Sequence, residues 1–275
     1  MKQLIITIAI ALTISSVQAQ NKDTMNRVDK CKQTFTELFK GEALNGKGSD
    51  PELMDILQKF IFGEVFYTGN LDNKTREMIT CVTLATLQTL PQLEAHSMAA
   101  LNVGVTPLEL REAIYQCAPF IGFPRTLNAV ATINKVFTQR GITLPLEQQG
   151  TVNEENRHQK GADIQYPLYG NEIKEAMKSL PEGMNKAVPN FLTEMCFGDF
   201  YTRGTLDVKT REMLMLCVLT TLGANNQIKA HTMGNLKAGN SKETLYSAII
   251  QCLPYIGFPF ALNAINTIKT TEEQQ

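Results

Sequence analysis

The sequence predicts an all-α protein made of two tandem copies of one helical repeat. The main observation is that residues recur at a constant shift of 135 positions, as a duplicated structural unit requires. The recurring pairs include Arg76 and Arg211, Glu77 and Glu212, His96 and His231, Gln116 and Gln251, Cys117 and Cys252, and Gly122 and Gly257. The second observation is that no segment combines alternating apolar residues with β-branched enrichment, which is the pattern of a strand.

Helix start signals occur at matching places in the two copies. Asp72 is a predicted N-cap for a helix that runs to about Gln88, because its carboxylate can accept hydrogen bonds from the first turn. Thr106 followed by Pro107 predicts another helix start, since proline suits the first helical position. Ser241 stands where Thr106 stands in the first copy and predicts the same start.

Composition changes along the chain predict the boundaries of the two copies. Residues 1–19 join a positive start to an apolar stretch and a small-residue cleavage pattern that ends at Ala19, which is typical of a secretory signal peptide. The first repeat is predicted over residues 20–140 and the second over 167–275. Residues 141–166 are rich in polar side chains and are predicted to be a linker. The mature protein is therefore expected to be exported, most simply to the periplasm.

Charge and motif content exclude several classes of function. The 26 basic and 27 acidic residues nearly balance, and no basic run indicates a nucleic-acid partner. No segment after the signal has the roughly 20 apolar residues that a membrane span needs. One histidine per copy is too few for a zinc pattern, and no glycine-rich phosphate loop is present. We therefore predict neither a metal nor an organic cofactor.

An acid and an imidazole recur in both copies and are the predicted catalytic groups. Histidine titrates near neutral pH, so His96 and His231 are natural proton donors or acceptors, and Glu77 and Glu212 are natural partners for them. The alternative is that each histidine is a buried, hydrogen-bonded core residue. In a tight antiparallel helical hairpin, each glutamate would lie roughly 10 Å along the axis from its histidine, so the pair also needs crossing helices or help from the other copy.

Arginine and cysteine recur as well, and each has two interpretations. Arg76 and Arg211 are predicted to bind a substrate carboxylate, whereas the alternative is an ion pair within the fold. Cys117 and Cys252 are candidate redox thiols, whereas a cysteine within an apolar stretch is also a common small core residue.

The order and spacing of several motifs carry a family resemblance. The motifs are Gly69-x-Leu71-Asp72-x-Lys74-Thr75-Arg76, His96 with Leu101-Asn102-x-Gly104, Tyr115-Gln116-x-x-Pro119 and Gly122-Phe123-Pro124, and most of them return in the second copy. This series resembles the carboxymuconolactone decarboxylase family. The resemblance implies two tandem all-helical repeats that assemble into a homo-oligomer, for example a trimer with pseudo-sixfold character.

The resemblance also implies an activity. The expected reaction is a cofactor-free decarboxylation of a small carboxylated lactone or keto acid, with His96 and His231 as proton donors. That branch of the family tends to carry an arginine just before the Gly-x-Leu motif, and only the second copy keeps one, Arg203, which would also bind substrate.

Two alternative functions remain. One comes from the alkylhydroperoxidase members of the same family, and the other involves no catalysis. Those members use a Cys-x-x-Cys pair, but the corresponding places hold Thr89 and Gln92 in the first copy. In the second copy they hold Ala224 and Gln227. A peroxiredoxin-type antioxidant activity would therefore have to use Cys117 and Cys252 instead. The third reading is a non-catalytic protein that binds a small carboxylate.

Overall fold

The structure, a computed structural model, describes residues 25–271, and this range is helical without a β-strand. It forms two compact units, one that ends at Tyr67 and one that begins at Thr68. The predicted signal peptide lies outside the described residues. None of the helices in residues 25–271 is long and apolar enough to cross a membrane.

The smaller unit contains two helices and a short turn. Its elements are α1 (Arg27–Phe39), α2 (Pro51–Gly63) and a 3₁₀ turn (Val65–Tyr67). The Asn26 side chain accepts hydrogen bonds from the first turn of α1 and so caps it. The two helices approach so closely that a Cβ on Gly63 would lie 2.3 Å from the Arg27 carbonyl oxygen.

The larger unit holds the remaining helices, and it confirms the predicted all-α fold with two tandem repeats. Its elements are α3 (Asn73–Leu87), α4 (Leu90–Asn102), α5 (Pro107–Gln116), α6 (Ala118–Ile121), α7 (Phe123–Gln139), α8 (Arg157–Tyr169), α9 (Glu172–Ala176), α10 (Met184–Phe191), a π-helical segment (Leu192–Tyr201), α11 (Val208–Leu222), α12 (Asn225–Lys237), α13 (Lys242–Ile256) and α14 (Phe258–Thr270). Helices α11 to α14 repeat α3 to α7, with α13 continuous where α5 and α6 are separate.

The predicted caps are present. The Asp72 carboxylate accepts a hydrogen bond from the Thr75 amide at 2.7 Å. The side chains of Thr106 and Glu109 form a reciprocal capping box at the start of α5. Ser241 caps α13 in the equivalent position. These local signals confirm that the sequence specifies where the repeated helices begin.

Helix α8 lies partly within the segment predicted to be a linker over residues 141–166. Its beginning packs against the π-helical segment, and a Cβ on Gly198 would lie 2.6 Å from the Arg157 carbonyl oxygen. The same close approach joins Arg27 to Gly63 in the smaller unit, so α8 corresponds to α1 at a shift of 130 positions. The duplicated segment therefore extends farther toward the N-terminus of each copy than the polar composition indicated.

The two repeats meet through their central helices, α3 and α11, which pack against each other and are buried for most of their length. Two reciprocal hydrogen bonds cross between the repeats. Arg76 donates from Nη1 to Gln251 Oε1 at 3.1 Å, and Arg211 donates from Nη1 to Gln116 Oε1 at 2.8 Å. Each repeat thus supplies the acceptor for a buried guanidinium of the other.

Candidate active site

The structure brings each predicted glutamate and histidine together. His96 Nδ1 lies 2.8 Å from Glu77 Oε2, and His231 Nδ1 lies 3.0 Å from Glu212 Oε2. The estimate of roughly 10 Å assumed a tight antiparallel hairpin and counted only the distance along the helix axis, without the lengths of the two side chains. Both carboxylates are fully buried, so each depends on its hydrogen bonds for stabilisation.

Two tyrosines complete the network around Glu212. Tyr201 donates to Glu212 Oε1 at 2.6 Å, and Tyr169 donates to Glu212 Oε2 at 2.5 Å. The Tyr169 hydroxyl also lies 2.9 Å from His231 Nδ1. Tyr201 is the last residue of the π-helical segment, and Tyr169 is the last residue of α8. These two segments pack against each other and so position both tyrosines.

The electrostatics of this network keep the phenols protonated. Burial and the neighbouring Glu212 carboxylate raise the pKa of Tyr169 and the pKa of Tyr201 well above their ordinary value. Both hydroxyls therefore act as donors. Because Glu212 is an acceptor for these groups, His231 must use Nδ1 as a donor to it, and Nε2 is the ring nitrogen left for a ligand.

A cavity of about 720 Å³ opens beside His231. Its walls are mainly apolar and aromatic, with a few amide groups and the Glu172 carboxylate, and such a lining is typical of a small-molecule site. The lining residues are Pro119, Phe120, Gln165, Tyr169, Glu172, Ile173, Ala176, Leu192, Cys196, Phe197, Leu219, Leu222, Ala224, Asn226, Gln227, Ala230 and His231. No arginine or lysine is among these described residues, so a protonated His231 would be the cation of this cavity.

Each histidine also contacts an aromatic ring from the opposite repeat. The ring of Phe120 lies 5.5 Å from the ring of His231, and the ring of Tyr255 lies 5.5 Å from the ring of His96. Phe120 and Tyr255 occupy equivalent positions in the two repeats. Both candidate sites are therefore assembled from both repeats.

The first site has the same glutamate and histidine, but the sequence has no tyrosine at the positions that correspond to Tyr169 and Tyr201. Phe66 stands at the position equivalent to Tyr201, and Phe39 stands where Tyr169 falls at the α1–α8 shift. Neither phenylalanine can donate a hydrogen bond. Glu77 Oε1 is buried without a hydrogen-bond partner in residues 25–271.

A glycine makes room for the phenol network at the second site. A Cβ on Gly234 would lie 2.4 Å from the Tyr169 hydroxyl oxygen and 2.9 Å from Glu212 Oε2. The first repeat has Ala99 at this position. Tyr169 can therefore reach Glu212 only because Gly234 lacks a side chain.

The two arginines predicted to bind substrate lie in the interface between the repeats. Arg76 is 1 % exposed and donates to the backbone carbonyls of Leu71 and Thr68, as well as to Gln251. Arg211 is held in the same way, and burial lowers the pKa of both guanidinium groups to about 10. At neutral pH both are still charged and act as crosslinks, which differs from the anion binding predicted for them.

Arg203 is also separate from His231. It donates from Nε to Glu112 Oε2 at 2.7 Å and lines a different pocket. Its predicted contact with a substrate in the His231 cavity has no support in this arrangement.

The candidate redox thiols are buried. Cys117 donates to the Ala113 carbonyl oxygen, and burial raises its pKa, which disfavours the reactive thiolate. Cys252 lies fully buried against the Thr83 hydroxyl. All six cysteines fall within the described residues and none forms a disulfide. This environment favours the core interpretation of Cys117.

Comparison with known proteins places the chain among decarboxylase relatives. A model of the carboxymuconolactone decarboxylase family matches residues 51–135 and again residues 186–269. The chain belongs to the carboxymuconolactone decarboxylase family. The match falls on both repeats, as the tandem organisation requires.

Two curated decarboxylases are similar to this family member. The chain is 25% identical over 109 residues to a 4-carboxymuconolactone decarboxylase of Acinetobacter baylyi, a stretch that covers 39% of this chain and 81% of that protein. It is 30% identical over 81 residues to a nitrosuccinic acid decarboxylase of Metarhizium robertsii, which covers 30% of this chain and 57% of that protein. These relatives support a decarboxylase-like function.

Sequence reasoning missed the aromatic part of the site. Tyr169, Tyr201, Phe120 and Tyr255 were not predicted as site residues, although each lies against a histidine or its glutamate. A signal was available in the differences between the repeats, because Tyr201 replaces Phe66. Ala224 and Gln227, which stand where the Cys-x-x-Cys pair would fall, line the His231 cavity.

Proposed function

We propose that this protein is a cofactor-free decarboxylase whose principal active site is the cavity at His231. The observation that carries the proposal is the His231, Glu212 and Tyr169 cluster at the wall of a largely apolar cavity. The same cluster is incomplete at His96. Membership of the family and similarity to two decarboxylases support the same reaction class.

The chemistry follows from the charges at the site. A substrate carboxylate enters beside the His231 imidazolium, and the apolar walls solvate it poorly, which favours its loss as neutral CO₂. The bond between the carboxylate carbon and its neighbour breaks, and the electron pair remains on the substrate. His231 Nε2 then donates a proton to that carbanion or enolate, and the imidazole regains a proton from water.

Glu212 and the two tyrosines have a positioning role in this scheme. The Glu212 carboxylate stabilises the imidazolium through Nδ1 and fixes the direction of Nε2. Tyr169 and Tyr201 donate to the carboxylate and so offset the cost of burying it. Glu212 therefore orients the ring, while His231 is the group that transfers the proton.

We assign the substrate class as a small acid whose carbanion is stabilised by a neighbouring electron-withdrawing group. The named substrates of the two relatives are a carboxylated lactone and a nitro-substituted dicarboxylic acid, and both fit this description. Gln165, Asn226 and Gln227 supply amide groups in the cavity that can hold the remaining polar part of such a molecule.

Release of CO₂ tests the proposal. The purified protein is incubated with 4-carboxymuconolactone, nitrosuccinic acid and a β-keto acid, beside a His231→Ala variant and a His158→Ala control on the exposed face of α8. We expect CO₂ from at least one acid, unchanged in the control and lost in His231→Ala. Equal release by the wild type and His231→Ala, or no release from any acid, would refute the assignment.

We propose that the protein also self-associates through matching apolar faces. Phe123 and Leu127 on α7 are more than half exposed, and their equivalents on α14, Phe258 and Leu262, are at least half exposed. Two equivalent faces on one chain can join copies into a closed ring, such as the trimer with pseudo-sixfold character. Sedimentation analysis of the wild type and of Leu127→Glu with Leu262→Glu tests this, and a wild-type monomer would contradict it.

We propose that the chain is exported, on the basis of the signal-like residues 1–19. Mass spectrometry of the protein recovered from a periplasmic fraction should show an N-terminus that follows Ala19. Recovery of the uncleaved chain in the cytoplasm alone would contradict export.

A further inference from the structure

A second pocket of about 540 Å³ shares no lining residue with the His231 cavity. One wall is α5, and the opposite wall is the polar segment over residues 144–150. That segment is fixed, because the Gly204 amide donates to the Gln149 carbonyl at 3.0 Å and Arg111 donates to the Glu147 carbonyl at 2.6 Å. The segment predicted as a linker therefore builds a wall of this pocket.

Positive charge exceeds negative charge at the base of this pocket. Arg203 donates to both oxygens of Glu112, at 2.7 Å and 3.1 Å, and Arg111 donates twice to Glu112 Oε1, at 3.3 Å and 3.1 Å. Glu112 is fully buried, and Arg211 Nη2 approaches the same carboxylate at 3.8 Å. Two guanidinium groups that line the pocket thus share a single carboxylate, which leaves at least one unit of positive charge.

Donor atoms remain available on both guanidinium groups. The Nη1 atoms of Arg111 and Arg203 make no hydrogen bond to residues of the described range, while their Nε and Nη2 atoms are occupied. The Arg111 side chain is only 9 % exposed. Tyr115 orients both groups, since its ring centroid lies 5.5 Å from Arg111 Cζ and 5.3 Å from Arg203 Cζ.

The fold does not require this charged cluster, because the equivalent place in the other repeat lacks it. The counterparts of Arg111, Glu112, Tyr115 and Arg203 are Tyr246, Ser247, Ile250 and Thr68. There, the Ser247 hydroxyl and Asn70 close the contact by hydrogen bonds at 3.2 Å. The basic cluster is thus specific to one side of a duplicated framework.

We propose that this pocket is a binding site for a small organic carboxylate, separate from the His231 cavity. The carboxylate accepts hydrogen bonds from Nη1 of Arg111 and Nη1 of Arg203, which is a geometry that guanidinium groups favour. Leu144 and Leu146 pack against the apolar part of the ligand. The apolar wall favours a carboxylate with a hydrocarbon body over inorganic phosphate.

Calorimetric titration with benzoate tests the site without removing any charge. Gly150 lines the pocket, and a Cβ placed on it has no atom within 4 Å, so Gly150→Leu can add an apolar side chain at the pocket without a clash at Cβ. The matched variant is Ala230→Leu, which fills the His231 cavity. Benzamide has the same shape as benzoate without the charge, and inorganic phosphate has the charge without the hydrocarbon.

We expect benzoate to bind the wild-type protein and Ala230→Leu equally, and to bind Gly150→Leu at least tenfold more weakly. Benzamide should bind at least tenfold more weakly than benzoate. Loss of benzoate binding in Ala230→Leu with retention in Gly150→Leu would transfer the ligand to the His231 cavity and overturn the proposal. Absence of benzoate binding to the wild type, or equal binding of phosphate, would overturn it as well.

Discussion

At Glu212 the carboxylate accepts hydrogen bonds from Tyr201 and Tyr169 and contacts His231, whereas at Glu77 one oxygen contacts His96 and the other is buried without a partner in residues 25–271. The two sites nevertheless share equivalent helices, equivalent arginine crosslinks and an aromatic ring from the opposite repeat. The duplicated chain has therefore kept the residues that hold the repeats together, while the surroundings of the carboxylate have diverged.

This difference predicts that the two histidines contribute unequally to turnover. His231→Ala should reduce kcat by about 10²–10⁴-fold, the usual contribution of a positioned acid or base. His96→Ala should change kcat by less than about threefold, because His96 lies outside the proposed principal site. Steady-state kinetics with the acid that gives the fastest CO₂ release measures both, and equal losses would show that the sites are equivalent.

The contrast between Gly234 and Ala99 provides a second comparison. Gly234→Ala should displace the Tyr169 hydroxyl and lower kcat by about 10²-fold, because a misplacement of about 1 Å at a site can cost that much. Tyr169→Phe should reproduce the loss if the displaced hydroxyl is its cause.

The matched control is Ala99→Gly. It should leave kcat unchanged and lower the free energy of unfolding by only about 0.5–1 kcal/mol, the cost of glycine within a helix. A Gly234→Ala variant with full activity would contradict the role given to Tyr169.

The arginine crosslinks should be nearly symmetric, in contrast to the active sites, with a somewhat larger cost at Gln251, whose amide also donates to Thr80 at 3.1 Å. Gln116→Leu and Gln251→Leu each remove the acceptor of a buried guanidinium, so each should lower the free energy of unfolding by about 1–3 kcal/mol. Urea denaturation measures both. If one variant lost several times more free energy of unfolding than the other, the contacts between the repeats would be as asymmetric as the two active sites.

Alkaline pH should destabilise the fold through the buried phenols of the second site. The folded-state pKa of Tyr169 and of Tyr201 is raised, so their contribution to stability is present below the unfolded pKa of about 10 and is lost as pH rises above it. Each group can remove up to about 1.4 kcal/mol per pH unit in that range. Urea denaturation at pH 9 and pH 11 should show a steeper loss in the wild type than in the Tyr169→Phe and Tyr201→Phe double variant.

Local and repetitive features of the fold were predictable from the sequence. Asp72, Thr106 and Ser241 cap the helices that they were predicted to start, because a cap depends on residues within one turn. The pairing of Glu77 with His96 was also predictable, since a polar residue that recurs in both copies of a duplication has been retained at an equivalent place.

The remainder depends on packing between segments that are distant along the chain. The role of Arg76 is decided by Gln251, which lies in the other repeat, and no local pattern connects them. Tyr169 belongs to a helix that corresponds to α1 at a different shift from the rest, so the repeat register did not reveal it. The polar composition of residues 141–166 likewise concealed both α8 and the wall of the basic pocket.

The exchange of Gln116 and Gln251 between the two repeats has a consequence for folding. In a single repeat, the Nη1 atom of the buried arginine would lose its glutamine acceptor, because each glutamine comes from the other repeat. The two halves are therefore expected to depend on each other for stability. Because both halves belong to one polypeptide, position 234 can hold glycine while position 99 holds alanine, and this pairing is unaffected.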